Sequence, residues 1–428
     1  YSQKLISDIK SVFKILTLFL LLPFFWALFD QQGSRWTFQA TRMNGDIGFM
    51  EIKPDQMQLL NPLLILAFIP LFDYCVYPIL SKIGIRRPLQ KLTLGGILAG
   101  VAFLMSGFVE LQLEKTYPVF PSPTESQMRI FNGVPCTFEL QNFQGSAAQN
   151  QLEPMNIFKY SQAINGSNSK YVVFSTNTPG CETFSNDLKI ASGRADSFFL
   201  YGNADSPQIK SYEDKVEKSK SGNPSTRVLA NLNDVKEIRF VGDAGNTAKS
   251  VAPSAMDQFE ILPATYHVYA DDVKISSVDL QLGGVYTIVI GKSKDGEIQL
   301  KLHQITSPNT VHMCWLIPQY IVMTASEVFF SVTGLSFAYS QSPASMKSLL
   351  QASWLLTVAF GNVIVVIIAE AKFFESQAHE FFLFAVLMFI DMGLFALLAM
   401  RYTYVKISGD NNDVESLPIE ENKRKTFT

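Results

Sequence analysis

MQLLNPLLILAFIPLFDYCVYPIL, residues 57–80, carries one carboxylate, Asp73, and no basic group. The run is longer than the ~20 residues a helix needs to cross the hydrocarbon core of a bilayer. Five more runs read the same way, at roughly 12–32, 92–112, 311–337, 346–369 and 380–402. The whole chain agrees: 47% of its residues are hydrophobic and 17% charged, against about a quarter charged in soluble domains. A net charge of −3 offers no basic surplus for phosphates, so nucleic acid is not an expected partner. Its 34 Phe exclude a disordered chain, and its four Cys are too few for a disulfide scaffold. The expected fold is a membrane α-helical bundle of six spans in contact with lipid.

Basic residues in short loops stay on the cytoplasmic side. The loop SKIGIRRPLQK (81–91) holds Lys82, Arg86, Arg87 and Lys91, and no acid. Lys4, Lys10, Lys14 and Lys347, with Lys423, Arg424 and Lys425 in the tail, fall on the same side if all six spans are real. Both ends of the chain are then cytoplasmic, and the long middle segment is outside. The first span, FKILTLFLLLPFFWALF, has no small-residue cleavage site and the chain opens on Tyr, so a fragment of a longer protein is expected.

The expected domains are helices at 1–115, an inserted β domain at 116–308, helices at 309–405 and a tail at 406–428. Within the insertion the apolar pattern turns strand-like: YVVFST (171–176), SFFLYG (197–202), EIRFVG (237–242), VYTIVIG (285–291) and EIQLKLH (297–303). Turn residues between the runs point to antiparallel sandwiches. The polar stretch 211–227 either joins two lobes, with a boundary near 217, or is a surface loop of one larger sandwich; two lobes is the preferred reading. Cys136 and Cys181 lie where a disulfide could persist, but spacing alone does not pair them. Asn165 begins a glycosylation sequon, Asn-Gly-Ser. No nucleophile–base spacing, metal cluster or phosphate loop marks the insertion, so a non-catalytic module is expected.

Ionisable groups inside spans cost a few kcal/mol and normally face a pathway or a partner. Glu327, in IVMTASEVFFSVTG, lies well within its span among small neighbours; the bland alternative is a protonated acid in helix packing. Trp26, Phe29, Asp30 and Gly33 recur at helical spacing on one face, which suits a cavity wall and equally a plain core. Lys14 and Asp73 have depths compatible with a pair. Asn61, before Pro62, is an uncharged polar group expected to face the bundle interior. Pro23, Pro62, Pro70, Pro78, Gly334 and Gly361 mark places where transport helices bend, though static bundles carry such residues too.

WALFDQQGSRWT (26–37), EVFFSVTGLSFAYSQSPASMKS (327–348) and LLQASWLLTVAFGN (349–362) resemble the carboxyl half of proton-coupled oligopeptide transporters, the POT or PTR family. The resemblance covers the whole chain and is similar to the animal di- and tripeptide transporters, which carry a large insertion between helices nine and ten. It implies half of a major-facilitator bundle, helices seven to twelve, with two immunoglobulin-like lobes inserted. By the same resemblance, Trp26, Phe29, Gln32 and Asn61 would line the peptide cavity, Glu327 would meet the peptide's α-ammonium, and Trp354 would form a side-chain pocket. Lys14 and Asp73 would be a gating pair, with Lys where Arg is usual. Ser336 stands where the family pattern has a carboxylate. The ExxER motif and the groups that hold the peptide carboxylate belong to helices one to six, so this chain is not expected to transport alone.

The expected function is therefore the carboxyl half of a plasma-membrane symporter of di- and tripeptides. The proton is its coupling ion, and no other cofactor is expected. A membrane-anchored ectodomain that binds an extracellular protein is the alternative. An intramembrane enzyme finds no paired-carboxylate, His–Glu–His or Ser–Lys arrangement.

Overall fold

A computed structural model describes residues 3–48, 50–141, 151–163, 169–175, 180–182, 184–190, 193–243, 245–371 and 376–404. Asn165 and the tail 406–428 lie outside the described residues. The chain divides into two compact units, one of Tyr1–Trp36, Gln58–Phe108 and Leu316–Thr428, the other of Thr37–Met57 and Val109–Trp315.

The first unit is helical. Five helices are long and apolar enough to cross a membrane: Pro54–Lys82, Pro88–Glu114, Met313–Gln341, Ala344–Ile368 and Gln377–Arg401. A bent pair, Leu5–Phe19 and Leu22–Ala40, makes a sixth span with a 44° break. The expected first span, 12–32, is thus longer and broken. Helix α1 (Gln3–Phe19) ends before Leu20, and α2 (Leu22–Phe29) restarts with Pro23 in its first turn. Pro has no N–H to continue the ladder and is best tolerated in a helix's first turn. A 3-10 turn at Asp30–Gly33 and α3 (Arg35–Ala40) complete this span.

The second span comprises α4 (Leu60–Leu71), a π turn at Phe72–Val76 and α5 (Tyr77–Lys82). The third is α6 (Pro88–Glu114). The fourth comprises α7 (Ile317–Glu327), a π turn at Val328–Val332 and α8 (Thr333–Gln341), followed by α9 (Lys347–Ala371) and α10 (Gln377–Arg401). Helix packing in lipid depends on close contact between small and large groups. At Gly96 and Gly100 of α6 an added Cβ would overlap Met392 and Phe389 of α10, at 2.0 and 2.7 Å.

The second unit carries two lobes of two sheets each. The first lobe holds β1 (Glu125–Asn132), β2 (Phe138–Gln141), β3 (Gln151–Leu152), β4 (Ile157–Ala163), β5 (Ser169–Ser175), β6 (Ser185–Ile190), β7 (Ala195–Asn203) and β8 (Ser206–Glu213). The second holds β9 (Ser225–Ala230), β10 (Ile238–Gly242), β11 (Thr247–Val251), β12 (Phe259–Glu260), β13 (Ala264–Ala270), β14 (Val273–Leu280), β15 (Val285–Lys292) and β16 (Ile298–Thr306). The sheet orders are β4-β1-β7-β8 with β3-β2-β5-β6, and β12-β9-β15-β16 with β11-β10-β13-β14. Counted from its own first strand, each lobe has the same order, so the insertion repeats one topology.

The sheets are not purely antiparallel, as the turn pattern led us to expect. β1 pairs parallel with β7, and β9 with β15. In each lobe the first strand enters the sheet's interior beside the seventh, a connection that turn residues cannot report. Cys136 and Cys181 are joined by a disulfide within the first lobe, their Cα atoms 6.1 Å apart.

Each lobe has its own core, around Ile130, Phe138 and Leu200 in the first and around Phe240, Val268 and Ile288 in the second. A third cluster, Phe131, Met155, Phe199, Leu229 and Val289, joins the β1–β7 sheet to the β9–β15 sheet. These strands are buried on both faces, which is why SFFLYG and VYTIVIG read as continuous apolar runs rather than alternating ones. Asn231 closes the joint: its amide donates to the carbonyls of Gly133 and Gly202, both at 2.8 Å, and its Oδ1 accepts from the Gly202 N–H at 2.9 Å.

Candidate functional site

The polar centre of the helical unit is built from α4 and α7. Thr324 and Glu327 stand three residues apart on α7, hence on one face. The Thr324 hydroxyl donates to Asn61 Oδ1 at 2.7 Å, and the Asn61 amide donates to Glu327 Oε2 at 3.1 Å. Ser326, on another face, donates to the Gly95 carbonyl at 2.6 Å and fixes α7 against α6. One carboxylate oxygen of Glu327 is thus tied to Asn61, and the side chain is only partly buried. That arrangement holds a carboxylate in position and leaves it able to accept from a cationic guest.

The π turn at Val328–Val332 begins immediately after Glu327, and Asp73 lies in the π turn at Phe72–Val76. Such turns insert one residue into a helix and shift the face that follows. Phe72 and Phe329, one from each turn, pack at 4.7 Å between ring centroids. Pro70, inside the second span just before its turn, removes a backbone donor from the helix there.

Beside this lies an aromatic group. Phe25 stacks on Phe330 at 3.6 Å, and Trp26 meets Phe29 at 5.7 Å and Trp354 at 5.9 Å, both edge-on. Phe19 meets Trp354 at 5.6 Å. Trp26 and Trp354 are buried, and among the described residues the Trp26 Nε1 has no hydrogen-bond acceptor. Gln32 is buried too, its amide donating to the Phe29 carbonyl at 3.2 Å. Gly361 and Gly334, expected as bending points, are instead places of close approach: an added Cβ would meet Trp26 and Trp354 at 2.7 and 2.6 Å.

Six of the residues singled out from sequence therefore fall into two groups, Asn61 with Glu327, and Trp26 with Phe29, Gln32 and Trp354. The expected Lys14–Asp73 pair is not formed. Both side chains are exposed, and among the described residues no ion pair joins them. Asp73 acts electrostatically on Lys91, whose ammonium lies 3.8 Å from the centre of the Tyr77 ring.

Sequence reasoning missed Thr324, whose type is common in any span, and both π turns. It also passed over two acids within apolar runs. Glu110 is fully buried, and Asp391 is 4% exposed, its Oδ2 without a donor among the described residues.

The sequence profile of the POT family matches residues 1–186 and 284–378. The chain is 40% identical to Peptide transporter family 1 of Drosophila melanogaster, over 98% of its own length and 57% of the relative's. It is 38% identical to Solute carrier family 15 member 1 of Mus musculus, over 99% of its length and 60% of the relative's. With the Homo sapiens protein of the same name the identity is 35%, over 95% and 57%. A solved structure of an auto-inhibited POT family peptide transporter is 18% identical, with a TM-score of 0.45 over 95% of this chain and 44% of that one. The chain thus spans less than two thirds of the length of these relatives. The profile covers well over half of the sequence, and the chain belongs to the POT family.

Proposed function

We propose that this chain supplies one helical half of a plasma-membrane carrier of di- and tripeptides, driven by protons and joined to a second half that completes the cavity. What supports the reading is Glu327, a partly buried carboxylate held by Asn61 and Thr324 in mid-span. Dipeptides vary in side chain and share terminal charges, so a tolerant site fixes the charges and surrounds them with adaptable apolar walls. Glu327 takes the α-ammonium, and Trp26, Phe29 and Trp354 take side chains. The family membership and the names of the relatives, a peptide transporter among them, agree with this. The basic loop with Lys82, Arg86, Arg87 and Lys91 supports a topology with both ends of the chain in the cytoplasm and the two lobes, read as immunoglobulin-like modules, outside.

Glu327→Gln keeps an acceptor for Asn61 and removes the charge. In the complete carrier it is expected to weaken uptake of free-amine dipeptides by roughly 10- to 100-fold, the worth of one hydrogen bond to a charged group. Surface expression is expected to stay normal. Equal uptake by the variant and the parent would overturn the assignment.

A further inference from the structure

Beyond transport, a buried charge cluster ties the lobes to the ends of the first and third spans and the chain just beyond them. All its members belong to the second unit. Glu110, in the last turns of α6, is fully buried and accepts from Gln39 Nε2 at 2.9 Å and from the Tyr117 hydroxyl. Arg42, just past α3, donates to the Tyr117 oxygen at 2.6 Å and lies 3.6 Å from Glu110. Its guanidinium also covers the rings of Phe38 and Tyr117, at 4.8 and 4.4 Å.

The lobes engage the same corner through Asn309 and Lys218. Asn309 follows the last strand, and its amide donates to the Met43 carbonyl at 3.1 Å. Lys218, in the linker between the lobes, donates to Asn309 Oδ1 at 2.8 Å. The backbone continues the seam: the Asn44 N–H donates to the Val311 carbonyl and the Met313 N–H to the Asn44 carbonyl, both at 2.8 Å. Lys218 is held by Asn309, a neutral partner. Of the groups packed around it, Arg42 is the charge that acts on it, and Glu110 and Tyr117 are engaged by Arg42. Its chain neighbours Glu217 and Lys220 are exposed.

We propose that this corner is a proton-sensitive seat for the two lobes, tight when the Lys218 amine is neutral and loosened when it is charged. Burial, and then the like charge of Arg42, push the Lys218 amine down from 10.5 to about 8. A lysine depressed in the seated form opposes seating once charged. The penalty is absent above the ordinary value, grows as pH falls from it, and is complete below the seated value. The seat therefore tightens as pH rises. Between about pH 7 and about pH 9 its opening equilibrium should fall on the order of tenfold.

The test is amide exchange at Asn44 and Met313 in the intact chain, comparing the parent with Lys218→Met at each pH. The ratio of the two rates cancels the intrinsic pH dependence of exchange. That ratio should fall on the order of tenfold from about pH 7 to about pH 9. In Lys218→Arg, charged throughout, it should stay high. A ratio that does not change with pH, or an Arg variant that tightens like the parent, would overturn the proposal. Transport does not enter either readout, so a failed carrier reading leaves this test intact. Should Lys218→Met not fold, Lys218→Gln serves the same comparison.

Discussion

Replacing Asn231 tests whether the two lobes stand or fall together. Its side chain spans the joint with three hydrogen bonds, two to the carbonyls of Gly133 and Gly202 and one from the Gly202 N–H. Asn231→Ala removes all three and leaves those backbone groups in a partly buried site, where each lost bond is worth roughly 0.5–1.5 kcal/mol. The total is about 2–4 kcal/mol, with water recovering some of it. Asn231→Asp should be worse than Ala, because it keeps the acceptor and sets a negative oxygen against two carbonyls. The assay is chaotrope unfolding of the whole chain in detergent, with exchange of the Gly202 amide followed in parallel. Both variants should unfold at lower denaturant, Asp before Ala, and the Gly202 amide should lose protection in Ala first. If Ala matches the parent in midpoint and in Gly202 exchange, the Asn231 hydrogen bonds contribute nothing and the joint rests on its apolar cluster alone.

Two further outcomes follow from the same physics. The Cys136–Cys181 bridge closes a loop of sequence separation 45, so Cys136→Ser with Cys181→Ser should cost the first lobe about 4 kcal/mol by loop entropy, read as a lower unfolding midpoint than the parent under oxidising conditions. Asp391 sits among Phe384, Met388, Met392 and Phe395 on the buried face of α10, with no donor on its Oδ2. Asp391→Leu, similar in branching, should leave the detergent melting temperature equal or higher, since a buried acid with an unpartnered oxygen stabilises little; a loss of more than about 1 kcal/mol would show that the carboxyl holds an interior partner.

Much of the fold was legible because each environment imposes its own period. Hydrocarbon requires a long apolar run, so the six spans stand out, including the one broken at Leu20–Leu21. The strand runs SFFLYG and VYTIVIG were legible as strands, but their parallel partners were not. Pairing direction depends on which strand arrives beside them, and β1 and β9 lie far away in the chain. The repeated topology was hidden for a related reason: a sheet asks only for apolar residues at alternate or continuous positions, and the two lobes meet that demand with different residues. In the site, Glu327 and Asn61 could be found because a polar group in an apolar run has few explanations. Thr324 could not, since a hydroxyl satisfies itself on its own helix and gives no sign of a partner elsewhere. The Lys14–Asp73 pairing rested on depth alone, and depth does not say which way a side chain faces: both are exposed here.

The acids divide by what surrounds them rather than by depth. Glu327 has one oxygen tied to an amide and a partly open side chain, the arrangement of a group that waits for a cation. Glu110 is fully buried, and its partners Gln39, Tyr117 and Arg42 already occupy it, the arrangement of a joint. Asp391 shares its helix face with apolar residues, and among the described residues its Oδ2 has no donor, the arrangement of a packing residue. All three would read alike in a hydropathy plot. A carboxylate that is held on one side and left open on the other can exchange partners without leaving a buried charge unpaired, and removing the partner of a buried charge costs several kcal/mol. That difference is why, of these three acids, Glu327 is the one we propose for a peptide's amino terminus.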